Sequence, residues 1–213
     1  PKGEMWSVGA FFKTFENPIE IVQFLSDPGS FQPRNVGNGT VLGVELEFRK
    51  SLKFISSSLE KFQWNTNLTI TESQISMSAT ERRSRQLTAR EGQEIGTTRD
   101  MAGQAPYIIN TGIAYSDFNT GWEAGIYYNV QGPTLNMVGF GNRTDTYAVP
   151  FNSLNLNINK TFGADERIRA SFGVQNLLND KREFIFSSYG AQDQFFTQLA
   201  PGVRANFSLG FSF

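Results

Sequence analysis

Residues 203–213 read VRANFSLGFSF, and this closing stretch decides the fold. Apolar side chains occupy every second position, and the positions between them carry Arg, Asn, Ser or Gly, which is the two-residue period of a β-strand. Chain termini usually fray, yet the alternation continues to Phe213, so we expect the end of the chain to be paired and either buried or in contact with lipid. One apolar face and one polar face are what a strand of a membrane β-barrel requires, with lipid outside and a polar lumen inside.

The composition favours strands over helices for any part of the chain that crosses a membrane. The chain has 213 residues, 20 of them Phe, and its mean hydropathy is −0.32, so apolar residues must alternate with polar ones. No stretch approaches the roughly 20 consecutive apolar residues that a membrane-spanning helix needs. We therefore expect an all-β chain whose strands close their hydrogen bonds within a barrel.

Charge and residue types exclude several classes of function. The 19 basic and 20 acidic residues give a net charge of −1, which argues against a nucleic-acid partner held by a broad basic surface. The chain has no Cys and no His, so it lacks thiol chemistry, imidazole ligands and the commonest general base. We expect no catalytic residue, no metal site and no cofactor, because a barrel enzyme would need an unusual device of Ser, Lys or carboxylates.

Seven further segments alternate in the same way, and the connections between strands have unequal lengths. The predicted strands are residues 5–15, 41–52, 62–70, 106–115, 122–130, 154–159, 168–175 and 203–213. Long connections at 16–39, 71–103, 131–147 and 176–199 alternate with short turns at 56–60, 116–121 and 163–166. We predict that the long connections are loops without regular structure. Outer-membrane barrels have short periplasmic turns and long outer loops, so this order predicts a periplasmic C-terminus.

Two groups of charged residues leave alternatives open. Glu45, Glu47 and Arg49 share one strand face, where they form either a charged, mutually screening ladder in a wet lumen or a carboxylate pair for acid–base work. The arginine-rich stretch 81–85 and Arg90 belong to a loop that is either simply solvated or in contact with an anionic sugar or chelate. For both groups, the simpler interpretation is that the charged side chains are only solvated.

Aromatic residues near strand ends indicate a membrane interface. They are either an interfacial girdle or the core aromatics of a soluble sandwich, and the polar opposite faces favour the girdle because they leave no second layer to pack on. The residues concerned are Trp6, Trp64, Trp122, Tyr107 and Tyr128.

Four stretches in order resemble the C-terminal third of TonB-dependent outer-membrane receptors. They are FFKTFENPIE at 11–20, GVELEFRKSL at 43–52, GVQNLLND at 173–180 and the ending at 201–213. The wording LNLNINKTFG at 154–163 is most similar to the Bacteroidota branch of that family. The ending also resembles the signal read by the barrel-assembly machinery, with Phe211 and Phe213 as its aromatic residues and Ser208 where Gly is usual.

The resemblance implies a transporter. Such receptors are barrels of about 22 strands with a plugged lumen, and they import ferric chelates, cobalamin or glycans with energy passed from the inner membrane. Residues 1–213 show about eight strands, no signal peptide, no plug domain and no TonB box, so we expect them to be the C-terminal part of a barrel whose remainder and plug lie outside this chain. Energy coupling and contact with TonB would belong to that remainder.

The resemblance also implies a location and partners. We expect the outer membrane, with its lipid bilayer and the barrel-assembly machinery as partners, and an iron chelate or another small ligand as cargo. A surface lipoprotein lid stays open as a partner. The alternative is a complete eight-stranded barrel with a structural or adhesive role, since eight strands can close on themselves.

Overall fold

The computed structural model describes residues 3–23, 27, 29–163 and 167–212. One α-helix, α1 (Ala79–Leu87), and two short 3₁₀ turns at Leu52–Phe54 and Ser57–Leu59 accompany the strands. In chain order the strands are β1 (Met5–Phe15), β2 (Ile19–Gln23), β3 (Phe31–Asn35), β4 (Gly39–Ser51), β5 (Phe62–Ser76), β6 (Thr98–Arg99), β7 (Tyr107–Asp117), β8 (Trp122–Gln131), β9 (Thr134–Met137), β10 (Thr146–Ala148), β11 (Ser153–Phe162), β12 (Ile168–Gln175), β13 (Arg182–Phe186), β14 (Gln194–Leu199) and β15 (Arg204–Phe211).

The eight predicted strands form one antiparallel sheet, which confirms the predicted fold class. Its order is β1-β4-β5-β7-β8-β11-β12-β15, and the short β6 pairs with the end of β5. Each strand of that path pairs with the next one, so the sheet is a meander built from local pairings. In the part of the chain that the structure describes, no ladder joins β1 to β15, and these two strands are the open edges of the sheet.

The register places apolar residues opposite apolar residues across the whole sheet. Val8 faces Leu46 between β1 and β4, and Phe172 faces Phe207 between β12 and β15. Directly paired residues of antiparallel strands lie on the same face, so one face is apolar from edge to edge. That face is largely uncovered, as the 70% exposure of Phe207 shows.

The opposite face is polar. Asn155, Asn157 and Asn159 of β11 lie on it, and Glu123 forms a 2.6 Å ion pair with Arg169 across β11. A groove of about 720 Å³ follows this face near β11, β12 and β15. Most of its amide and guanidinium side chains come from alternate positions of these strands.

The charged residues predicted on β4 lie on this polar face. Glu45 pairs with Gly9 and Thr69, and Arg49 pairs with Asn65 in the ladders of neighbouring strands. Among the described residues, no ion pair joins Glu45, Glu47 and Arg49 to one another.

Phe11 and Phe15 break the alternation of β1 for a physical reason. Both pack on a buried cluster of Val41, Ile75 and Met101, which covers the polar face of the sheet at its long-connection end. The residues there are apolar because the long connections fold over them.

The connections alternate in length as predicted, but the prediction that the long ones are loops without regular structure is wrong. Residues 16–38 contain the β2–β3 hairpin, residues 77–106 contain α1 and β6, and residues 132–152 and 176–203 supply a four-stranded sheet of order β14-β13-β10-β9. These strands have only three to six residues, too few for a clear two-residue period. Of the short turns, residues 164–166 lie outside the described part of the chain.

Within the described residues, no helix is long and apolar enough to cross a membrane.

Candidate ligand vestibule

The four long connections contact one another and form a second layer at one end of the sheet. We call them loop A (residues 16–38), loop B (77–106), loop C (132–152) and loop D (176–203), and together they are the loop cap.

An apolar contact joins loops A and C. Val22, Leu135 and Val138 form a buried cluster with exposures of 5%, 2% and 1%. The backbone closes the same contact, because Gln23 N–H donates to the Val138 carbonyl at 3.0 Å and Val138 N–H donates to the Ile21 carbonyl at 3.0 Å. The end of β2 in loop A therefore pairs with residue 138 of loop C through backbone hydrogen bonds, as neighbouring strands do.

A chain of buried ion pairs joins loops A, B and C. Arg99 lies at its centre, 2.7 Å from Glu20 and 2.6 Å from Glu81. Glu81 also contacts Arg85 at 3.2 Å, and Arg85 makes two hydrogen bonds to Asp145 at 2.9 and 3.0 Å. The Arg99 side chain is 8% exposed and that of Glu20 is 2% exposed, so solvent screens this network little.

The network keeps its cations charged. Burial lowers the pKa of Arg99, but hydrogen bonds and negative charge from Glu20 and Glu81 outweigh it, and the pKa is raised above its ordinary value. The pKa of Arg85 is raised for the same reason, since Asp145 and Glu81 outweigh the opposing effect of burial. Paired in this way, three acidic and two basic side chains can lie in a buried site.

Local sequence explains why α1 brings Glu81 to this site. The Ser78 hydroxyl caps the helix by accepting a 3.1 Å hydrogen bond from the Glu81 N–H, and Glu81 lies in the first turn, where the helix dipole favours an anion. A Ser followed three residues later by Glu is a helix-start signal. The sequence analysis missed this signal because the helix buries an ion pair rather than an apolar stripe.

Burial and nearby carboxylates also change the ionisation of Tyr147 in β10. Burial raises the pKa of this phenol to about 12, and the negative charges of Asp145 and Asp100 act in the same direction. The phenol packs against the Val22, Leu135 and Val138 cluster.

Aromatic contacts attach loop D to loop A. Phe196 of β14 packs edge-on against Phe31 of β3, with ring centres 6.2 Å apart, and against Phe186 of β13, with ring centres 5.1 Å apart. Arg90 of loop B donates a hydrogen bond to the Tyr189 carbonyl of loop D at 3.4 Å. Every long connection is thus bound to at least one other.

The GVQNLLND stretch fixes the start of loop D. Asn176 adopts φ of 54°, and its side-chain amide donates to the Asp180 and Gly202 carbonyls at 3.0 and 3.1 Å. The Asp180 carboxylate accepts from the Asn152 N–H at 2.7 Å. Partial burial raises the pKa of Asp180, but the hydrogen bonds from Asn152 and from the Lys181 N–H outweigh burial and hold the pKa below its ordinary value. These bonds join the two ends of loop D to each other and its start to loop C.

A cationic pocket of about 390 Å³ opens between loops B, C and D. Its charged lining residues are Arg85, Arg90, Arg143 and Asp145, so three positive charges and one negative charge give a net charge of +2. Because Asp145 already pairs with Arg85, the charges left for a ligand are those of Arg90 and Arg143. Hydroxyl groups of Thr, Ser and Tyr also line the pocket and suit an oxygen-rich anion.

The structure brings only some of the predicted residues to this site. In the stretch 81–85, Glu81 and Arg85 join the buried network, whereas Arg82 and Arg83 are exposed. Arg90 lines the cationic pocket. The sequence analysis missed three participants, because each stands alone in its stretch and no local pattern marks it; they are Glu20, Arg99 and Asp145.

Other predicted residues lie far from the cap. Phe211 ends β15 on the apolar face, where it pairs with Ile168 and is 58% exposed. Phe213 lies outside the described residues, so its part in the predicted assembly signal stays a prediction. In the described part of the chain, no group of three or more acidic side chains could hold a metal ion.

Comparison with known proteins gives one match. A family model described as TonB dependent receptor-like, beta-barrel matches residues 1–177, which include β1 to β12 and the first two residues of loop D. No curated protein matches the chain.

Proposed function

The chain belongs to the TonB-dependent receptor-like β-barrel family, and from this premise we propose that it forms the C-terminal part of an outer-membrane receptor for energy-coupled uptake of a scarce ligand. The proposal rests on one observation. The sheet is open and amphipathic, and at one of its ends the four long connections contact one another and form the loop cap. A sheet of this kind suits a barrel wall, and the cap suits a ligand vestibule.

The dimensions of the strands fit an outer-membrane wall. β1 and β7 have 11 residues each, which at about 3.3 Å per residue and a tilt of about 40° span about 28 Å, close to the apolar band of about 25 Å. The uncovered apolar face would contact lipid, and the polar face would line the lumen and meet the plug.

Aromatic residues and lysines would mark the inner interface. The apolar face carries aromatic side chains near its short-turn end on most strands, namely Trp6, Phe48, Trp64, Tyr115, Trp122, Phe162 and Phe211. Lys160 lies over the rings of Trp122 and Phe162, at 5.3 and 5.4 Å. Aromatic belts with lysines reaching toward the headgroups are typical of membrane interfaces. The short turns and the C-terminus would then face the periplasm, and the loop cap would face outward.

The open edges of the sheet support a larger barrel over a self-closed one. β1 and β15 present 11 and 8 residues of unpaired backbone on their outer sides, and an exposed strand edge in lipid is costly. We propose that further strands of the receptor pair with both edges, and that the plug and the contact with TonB belong to that remainder. Phe211 and Phe213 would be read by the barrel-assembly machinery.

We propose the cationic pocket of loops B, C and D as the first contact of the ligand, and an anionic ferric chelate as that ligand. Ferric iron is bound by oxygen-rich anionic chelators, and guanidinium groups recognise such oxygens through paired, charge-assisted hydrogen bonds. Binding, rather than catalysis, is the role proposed for this chain. A surface lipoprotein over the cap stays an open question in this proposal.

Uptake of a radiolabelled ferric catecholate chelate by cells that produce the receptor tests this function. Arg90→Gln and Arg143→Gln should each weaken binding by about tenfold, because each removes a charge-assisted contact. Arg83→Gln removes an exposed arginine of the same loop and should leave binding unchanged. Equal binding of the chelate by the unmodified receptor and its three variants would refute the assignment of the chelate to this pocket. A native polypeptide without peptides upstream of Pro1 would refute the proposal of a larger receptor.

A further inference from the structure

A second, smaller cavity lies where loops A, C and D meet. It has a volume of about 100 Å³. Gln23 of β2 and Thr146 of β10 supply its buried polar atoms, and Phe31, Phe186 and Phe196 form an aromatic wall. The cavity differs in chemistry from the cationic pocket because three aromatic rings and neutral polar groups dominate its lining.

Two buried polar atoms, both on side chains that line this cavity, have no partner. Among the described residues, Gln23 Oε1 and Thr146 Oγ1 are the buried side-chain oxygen or nitrogen atoms without a hydrogen bond. Gln23 is 6% exposed and Thr146 is 1% exposed, so bulk water does not satisfy them. Native proteins pair nearly all such atoms, and both unpaired atoms belong to side chains that line this one cavity.

A neighbouring threonine shows that the local fold can satisfy a buried hydroxyl. Thr134 of β9 is 7% exposed, and its hydroxyl donates to the Gly132 carbonyl at 2.9 Å and accepts from Gln131 Nε2 at 3.3 Å. Thr146 differs from Thr134, because its hydroxyl has no such partner among the described residues.

The lining defines the chemistry of an occupant. The Gln23 carbonyl oxygen only accepts a hydrogen bond, whereas the Thr146 hydroxyl donates or accepts one. An alcohol hydroxyl can donate to the Gln23 oxygen, and it can donate to or accept from the Thr146 hydroxyl. The single charged lining residue, Arg143, disfavours a cation, and the phenylalanine rings favour carbon-bound hydrogen over a second charged group.

We propose that this cavity is a binding site for a small neutral polyol group, such as the hydroxymethyl or vicinal diol end of a larger molecule. A volume of about 100 Å³ holds about three waters at roughly 30 Å³ each, and it suits a two- or three-carbon alcohol. The cavity shares Gly139, Arg143 and Thr144 with the cationic pocket, so an occupant can belong to a molecule held there. The site does not require that the cationic pocket bind a chelate.

Saturation-transfer NMR on the whole receptor in detergent, with glycerol as the probe, tests the site. Glycerol should bind saturably, and Thr146→Val and Gln23→Met should each weaken its binding by about tenfold, because each removes one hydrogen bond and keeps the side-chain volume. Thr134→Val is the matched control and should leave glycerol binding unchanged. Heat-modifiable migration of each variant verifies that the barrel is folded.

A second measurement keeps the test independent of the probe's affinity. If the Thr146 hydroxyl is unpaired until a ligand binds, Thr146→Val removes no hydrogen bond from the unliganded receptor, and hydrogen exchange of β10 should be unchanged or slower. Thr134→Val removes two hydrogen bonds and should speed exchange of β9. No saturable glycerol binding, or binding insensitive to both cavity variants, would overturn the proposal and leave a site for ordered water only. Methyl glucopyranoside that competes with glycerol would extend the site to the arm of a sugar ring.

Discussion

Replacing Arg99 with methionine should destabilise the contacts that hold the loop cap together. Arg99→Met removes the one cation that contacts both Glu20 and Glu81, at 2.7 and 2.6 Å, and keeps an apolar side chain in its place. The side chains of Glu20 and Glu81 are 2% and 9% exposed, so two carboxylates are left buried without the guanidinium that joins them. Breaking a buried pair in this way costs about 3–5 kcal/mol.

A second ion pair on the sheet provides the matched control. Arg169 and Glu123 are also 2.6 Å apart, but their side chains are 54% and 41% exposed. Because the contact distance equals that of the buried pair, Arg169→Met isolates the effect of burial, and it should cost less than about 1 kcal/mol. Adding Glu20→Gln to Arg99→Met removes one orphaned charge and should restore part of the lost stability.

Hydrogen exchange read by mass spectrometry on the receptor measures this cost locally. Peptides from β2 and α1 report opening of the cap, and a loss of about 3 kcal/mol lowers their protection about 100-fold. Arg169→Met should leave the same peptides unchanged. Equal protection in the two single variants, or no recovery in the double variant, would refute the view that the buried pairs hold the cap together.

Three further predictions concern assembly, backbone and ionisation. Phe211→Ala should reduce assembly in the outer membrane severalfold, measured as heat-modifiable protein, whereas Phe207→Ala on the same strand face should not. Gly121 has φ of 69°, and a Cβ there would lie 2.5 Å from a backbone oxygen of β11. Gly163 also has a positive φ, of 85°, but a Cβ there would meet nothing within 4 Å. Gly121→Ala should therefore lower the urea midpoint of the folded band more than Gly163→Ala does. The pKa of Tyr147 is raised to about 12. Its contribution to the stability of the cap is therefore complete below the ordinary tyrosine pKa of about 10 and is lost as the pH rises through about 12. The tyrosinate absorbance that Tyr147→Phe removes should titrate in that upper range.

The sheet could be predicted from sequence because its signal is local. Each strand alternates over eight to fifteen residues, and the lengths of the connections fix which strands are neighbours. Where alternation fails, at Phe11 and Phe15, the cause is long-range packing on the cluster that contains Met101, which no local pattern shows.

The cap could not be predicted in the same way because distant residues build it. Glu20 and Arg99 are separated by 79 residues in the chain and meet only after loops A and B have folded together. The strands of the cap are short, and its helix buries charge instead of an apolar face. Only the Ser78 and Glu81 pair carried a readable signal, which was the start of α1.

A disulfide scan between the two edges of the sheet tests the central claim most directly. Residues 1–213 contain no Cys, so a disulfide between two of these positions is an engineered one. Ser171 and Ser208 are direct partners between β12 and β15, and cysteines at this pair should cross-link in the outer membrane. A cysteine at Ser7 of β1, tested against each of the polar-face positions of β15, should not cross-link, because strands of a larger receptor lie between the two edges. A cross-link from position 7 to any of them would show a self-closed eight-stranded barrel and contradict the account.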